Sequence, residues 1–149
     1  MRRNLARTTF GIILFATLVG IAPLAQARSC SLAGAAGRYG YTTSGTIPTL
    51  GAVAGVGQVA LDTVGNLTGA QTVSFNGLVV PETLSGTYTV NADCTGTATI
   101  NVYHGGVLAR TTHLDVIYDS NQRELRAILL TPGTVLTVQG KKLFTDDED

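Results

Sequence analysis

The sequence predicts an all-β domain, an antiparallel up-and-down barrel of about eight strands, and three observations carry that expectation. Between Arg38 and Lys142 the chain is a series of short alternating runs rich in Thr, Val and Gly. Residues that accept turn conformations separate the runs, and no run after Ala27 repeats its apolar residues with a 3.6-residue period. Short sequential connections favour neighbours in order, and a meander of this length avoids exposed edges best by closing on itself. A flattened β-sandwich is the alternative architecture.

The predicted strands are Arg38 to Thr43, Gly57 to Asp62, Leu67 to Phe75, Leu78 to Val90, Thr97 to Tyr103, Val107 to Tyr118, Glu124 to Leu130 and Thr134 to Lys142. The tight connections include Asp62-Thr-Val-Gly-Asn66, Asn76-Gly77, the stretch from Asn91 to Gly96, and Thr131-Pro-Gly133. The gap from Ser44 to Val56 is rich in Gly and Ala and contains Pro48, so it reads as a loop lying over one end.

Asn76-Gly77 is the strongest local signal. A two-residue type I′ turn pairs Phe75 with Leu78 and thereby fixes Val73 opposite Val80, Gln71 opposite Glu82, and Leu67 opposite Gly86. One face of this hairpin then carries Leu67, Val73, Phe75, Leu78, Val80, Leu84, Tyr88 and Val90, which assigns it to the interior. Gln71 and Glu82 are the polar exceptions on that face, and a carboxylate inside a barrel needs a partner or a shifted pKa. A bulge at Pro81 would turn Glu82 outward instead.

The next strand places Ala98, Ile100 and Val102 inward. Two registers are open for the hairpin that follows. A two-residue Gly105-Gly106 turn sends Ala109, Thr111, His113, Asp115 and Ile117 inward; a three-residue His104-Gly-Gly106 loop sends Leu108, Arg110, Thr112, Leu114, Val116 and Tyr118 inward. The second set is the more apolar at its far end and is preferred. It sets Arg110 level with Ile100 and near Tyr88, about six residues along the strand direction from Glu82 and too far for an ion pair. Arg110 with Tyr88 and Tyr118 is therefore the first candidate for an interior ligand site. Gln71 and Glu82, near the opposite mouth, are the second; mutual satisfaction or hydration at the rim is the plainer account of both.

The N-terminus reads as an export signal. Arg2, Arg3 and Arg7 precede an uncharged apolar stretch from Phe10 to Ala22, and Ala25-Gln-Ala27 suits cleavage after residue 27. Arg2-Arg3 raises the twin-arginine route beside the general one. The expected organisation is a signal peptide over 1–27, one domain over 28–145, and an acidic disordered tail over 146–149, in a secreted or periplasmic protein. Cys30 and Cys94 are the only cysteines, and an oxidising compartment pairs them, tying the N-terminal segment to the Asn91 to Gly96 turn. Removing the signal leaves seven Lys and Arg against ten Asp and Glu. That balance gives no electrostatic footprint for nucleic acid or anionic membrane, so neither partner is expected.

The chain contains neither a Gly-x-Ser-x-Gly elbow nor an HExxH or HxH pattern, and no cofactor or metal is expected. His113 and Asp115 share one face of a strand, a spacing that reads as surface residues before it reads as a catalytic dyad. The string from Gly86 to Ile100 (GTYTVNADCTGTATI), with Tyr39-Gly-Tyr-Thr42 and Gly65-Asn-Leu-Thr-Gly69, resembles a group of small secreted bacterial proteins of unknown function. Their general look is similar to the barrels of allene oxide cyclases, dirigent proteins and lipocalins, and the resemblance implies an interior that holds or confines a small apolar molecule; no catalytic residue transfers. The expectation is a secreted non-enzymatic barrel. A cyclase- or isomerase-like enzyme and a structural or surface-interaction module are the alternatives.

Overall fold

The computed structural model describes residues 29–143, so the expected signal peptide and acidic tail lie outside the described residues. Eight strands follow one another: β1 (Gly37–Ile47), β2 (Gly51–Leu61), β3 (Asn66–Phe75), β4 (Leu78–Tyr88), β5 (Thr95–His104), β6 (Val107–Asp119), β7 (Glu124–Leu129) and β8 (Val135–Lys142). Each pairs antiparallel with the next, and β8 returns to β1, closing the barrel. The predicted closed meander is what forms; the flattened sandwich is not.

The Asn76-Gly77 turn sets the register as expected. Asn76 and Gly77 both take positive φ, and β3 meets β4 at Phe75↔Leu78, Val73↔Val80, Gln71↔Glu82 and Leu67↔Gly86. No bulge forms at Pro81, which pairs with Thr72 in an unbroken ladder. The β4–β5 ladder begins only at Thr83↔Tyr103, so proline's missing N–H lies beyond the pairing on that side. Glu82 is thereby held inside, and the alternation buries Leu67, Val73, Leu84 and Tyr88 with it.

Two expectations fail. Residues 44–56 are not a loop but the distal halves of β1 and β2, paired from Ser44↔Ala54 to Ile47↔Gly51 around a three-residue turn. Glycine serves curvature here: a Cβ on Gly45 would lie 1.8 Å from the Val135 carbonyl oxygen, and one on Gly55 would lie 2.9 Å from Thr43 Cγ2. The second departure is small: a four-residue helical turn, α1 (Leu32–Ala35), where less than one turn of regular helix is expected. It is too short to show a periodic apolar face. Ser31 caps it by accepting from the Gly34 N–H, and the Cys30–Cys94 disulfide anchors it to the β4–β5 turn, where Cys30 N–H also donates to the Ala92 carbonyl.

An up-and-down chain gathers the β2–β3, β4–β5 and β6–β7 connections at one end with the N-terminal segment. α1 closes that end. Ala35 and Tyr39 are fully buried there, and the Tyr39 hydroxyl donates to the carbonyls of Ala35 (2.9 Å) and Gln122 (2.6 Å). Gln122 holds the backbone of Ser31 from both sides, and Lys142 Nζ donates to the Gly34 carbonyl. The other four hairpin turns form the opposite end, and α1 has no counterpart there among the described residues.

Candidate functional site

The interior site is built along one row of paired residues that winds around the barrel wall. Tyr41 on β1 lies between Gly57 on β2 and Gly140 on β8; Gly57 pairs onward with Gln71, and Gln71 with Glu82. Because Gly57 has no side chain, the Tyr41 hydroxyl reaches across it and donates to Gln71 Oε1 at 2.7 Å. A Cβ on Gly57 would sit 2.7 Å from that hydroxyl oxygen and 2.6 Å from the Ala70 carbonyl. Gln71 Nε2 in turn donates to Glu82 Oε2 at 2.7 Å.

Arg110 completes the chain, which corrects the sequence expectation. Its Nη1 and Nη2 donate to Glu82 Oε1 and Oε2 at 2.5 and 2.8 Å, a two-pronged ion pair that the predicted register places out of reach. Two displacements bring them together. The β5–β6 hairpin turns through Gly105-Gly106 alone, with His104↔Val107, and then bulges at Ala109, so that Val102 faces Arg110 and Ala98 faces Leu114. Neither register considered has both features. The inward set is nonetheless the preferred one, with Thr112, Leu114, Val116 and Tyr118 buried. In addition Tyr88, where the sequence expects Val90, pairs with Ala98, and Leu84 pairs with Val102. Arg110 therefore stands level with Leu84, two residues along from Glu82.

Arg110, Tyr88 and Tyr118 consequently do not form one polar group. Tyr88 and Tyr118 belong to the closed end, where the Tyr88 hydroxyl donates to the Asp62 and Leu32 carbonyls. Arg110 instead joins Gln71 and Glu82, which merges the first sequence candidate with the second. Its guanidinium also lies 5.6 Å from the centre of the Phe75 ring. Sequence reasoning missed Tyr41. The signal for it was the Gly57 opposite, visible only once residues 44–56 are read as strands.

Electrostatics separate the groups. Burial pushes the Glu82 carboxyl up, but the hydrogen bonds from Arg110 and Gln71, with the Arg110 charge, outweigh burial and hold it below the ordinary glutamate value. Burial raises the Tyr41 phenol well above the usual tyrosine range, and the Glu82 charge adds to this. Tyr39 and Tyr118 are raised in the same way, by burial first and then by neighbouring tyrosines. The Glu82 side chain is 2% exposed and that of Arg110 36%, so arginine forms the lid over the carboxylate.

Above α1 the strands enclose a cavity of about 370 Å³. Its walls are mainly Leu, Val and Ile from every strand, with Tyr88 and Tyr118 towards the closed end and Tyr41, Gln71 and Arg110 at mid-height. Ile47, Leu50, Phe75, Thr134 and Leu136 line its far end, beside the open turns. His113 and Asp115 point to the outside; His113 Nδ1 lies 3.1 Å from Thr99 Oγ1 on the neighbouring strand. Among the described residues no cluster of three or more His, Cys, Asp or Glu could hold a metal ion.

Fold and site together define the class: a closed eight-stranded antiparallel barrel, capped at one end, with an apolar interior cavity and, in its wall, a buried carboxylate paired with a partly exposed arginine. No family model, curated protein or solved structure matches the chain.

Proposed function

We propose that this is an exported, non-enzymatic barrel that takes one small, mostly apolar molecule into its interior. The cavity carries this reading. A space of about 370 Å³ with a largely aliphatic lining and a few convergent polar groups is the usual form of a small-molecule site. Arg110 spends two of its five N–H donors on Glu82, and its charge is balanced there. The remaining donors suit a neutral acceptor on the ligand, a hydroxyl or carbonyl, better than a carboxylate that would unbalance the pair.

The alternatives fit less well. A purely structural module calls for a filled interior. A cyclase- or isomerase-like enzyme calls for an interior acid or base poised near neutrality, whereas Glu82 is held low and the interior phenols are pushed high. The export signal, the disulfide and the resemblance to secreted barrels support work outside the cytoplasm.

Titration with a medium-chain primary alcohol, followed by calorimetry, tests the proposal. Saturable one-to-one binding is expected, abolished by Ala127→Phe, which fills the cavity from a lining position. Absence of binding to the folded wild type, or equal binding by the filled variant, would overturn it.

A further inference from the structure

The open end of the barrel differs from the rest of its surface in a way the cavity does not explain. Residues 42–61, 63–81, 94–109 and 127–140 include all four hairpin turns of that end, and Glu82 and Arg110, just beyond two of these stretches, pair with each other inside the wall. Within those four stretches there is no Asp, Glu, Lys or Arg. Each hairpin tip also presents a large aliphatic side chain to solvent: Leu50, Leu78 (68% exposed), Val107 (72% exposed), Leu130 and Val135. Two of the tips are tied to each other, since Asn76 N–H donates to the Ala52 carbonyl and joins the β3–β4 turn to the β1–β2 turn.

We infer that this uncharged apolar rim docks on the surface of a lipid bilayer with zwitterionic headgroups, the hairpin tips entering the interface. Exposed aliphatic residues grouped at one end mark an interaction site, and the absence of Asp, Glu, Lys and Arg removes the largest part of the cost of entering an interface, leaving the neutral polar groups of the turns and His104 at headgroup level. Shape selects the occupant. A protein partner, a second copy included, needs a packed centre, and the centre of this ring is the mouth of the cavity. A fluid lipid surface follows a ring of tips and fills its middle. The sequence reading expected no membrane partner because it looked for basic residues, and this rim works without them. The threonine-rich outer wall is not a lipid-facing band, so the barrel sits on the bilayer and does not span it. The inference rests on the rim alone and stands whether or not the cavity takes a ligand.

The chain has no tryptophan, so a single one reports position. Leu78→Trp at the rim and Val64→Trp at the closed end, where Val64 is 75% exposed, are compared in vesicles of phosphatidylcholine with and without brominated acyl chains. A tryptophan at 78 is expected to shift its emission to shorter wavelength and to be quenched severalfold by the brominated lipid; one at 64 is expected to do neither. Adding Val107→Asp and Leu130→Asp to Leu78→Trp reduces the vesicle-bound fraction by roughly tenfold or more, because each change removes an aliphatic contact. A parallel titration with decanol separates this result from ligand binding. An unshifted tryptophan at 78, an equal response at 64, or a blue shift that accompanies dimer formation in light scattering without vesicles would overturn the inference.

Discussion

The two ends of this barrel close the same eight antiparallel strands and reach opposite solutions. At the closed end polar groups are used to fix structure: Tyr39, Tyr88 and Gln122 bond to backbone, Ser31 caps α1, and a disulfide fastens the segment. At the open end the tips are held mainly by their own turns and the interior is left partly empty. The difference teaches where an eight-stranded barrel acquires a site. Its own side chains can fill the interior, and a cavity persists here between the plug and the open turns, with inward glycines at 55 and 57 replacing side-chain volume.

Breaking the closed end should produce the largest effect. The disulfide spans 64 residues, and its removal by Cys30→Ser with Cys94→Ser should cost about 4 kcal/mol in the chain-entropy description. Urea unfolding of the variant beside the oxidised protein measures it. A loss below about 1 kcal/mol would mean that α1 and its hydrogen bonds hold the end unaided.

The ion pair between the two ends comes next. Arg110→Ala leaves Glu82 buried without its cation and should cost about 3 kcal/mol at pH 7, the low end for a buried pair because Arg110 is partly exposed. The pH dependence has a definite sign. Glu82 in the folded protein titrates below its ordinary value, so its stabilisation is fully present above that value and is lost as pH falls through the lower folded one. In Arg110→Ala the carboxyl is shifted upward by burial instead, and the deficit is greatest at neutral pH and shrinks on acidification. Unfolding at pH 7 and pH 4 checks this; a deficit that grows towards acid pH would contradict the buried pairing.

How much of this contrast could be read in the sequence depends on the range of the signals. Asn76-Gly77 is local and unambiguous, and the alternation on both sides of it assigned the β3–β4 faces correctly from Leu67 to Phe75 and from Val80 to Tyr88, Glu82 included; Leu78, expected inside, sits at the hairpin tip and is 68% exposed. The Ala109 bulge has no comparable signature. A bulge adds one residue, and with the offset between Tyr88 and Ala98 it moved Arg110 from the neighbourhood of Tyr88 to that of Glu82. Glycine was misread for a related reason: in β1 and β2 it marks places where a neighbouring strand passes too close for a side chain, which only the closed barrel reveals. The α1 plug is likewise a tertiary product, held by Gln122, Lys142 and Cys94, all distant in sequence.

Truncating one leucine at each end sharpens the comparison at smaller scale. Leu67 is 5% exposed in the closed-end core, and Leu67→Ala should cost about 3 kcal/mol through lost transfer energy and a new void. Both leucines line the cavity, but Leu136 is only half-buried at its far end, so Leu136→Ala should cost about 1 kcal/mol, since a partly exposed side chain forfeits fewer contacts. Equal losses in urea unfolding would mean that the open half is packed as tightly as the plugged half.

The smallest effect belongs to the outer wall, and it tests the register on which both ends depend. Had the Gly105-Gly106 turn run on without the bulge, His113 and Asp115 would face the interior, and an imidazole beside a carboxylate there would support a catalytic reading. The bulge reverses the alternation. Thr112 and Leu114 point inward, and His113 is exposed with Thr99 as its neighbour on β5. His113→Ala should therefore change stability by no more than about 0.5 kcal/mol, as surface substitutions do, and should leave alcohol binding in the cavity unchanged. Thr112→Val, one residue away, replaces a buried hydroxyl whose bond to the Ile100 carbonyl is long at 3.4 Å, and should alter the cavity wall without unfolding the barrel. If His113→Ala destabilised the protein more than Arg110→Ala, the inward and outward faces of β6 would have to be exchanged, and with them the ion pair, the cavity lining and the assignment of the open end.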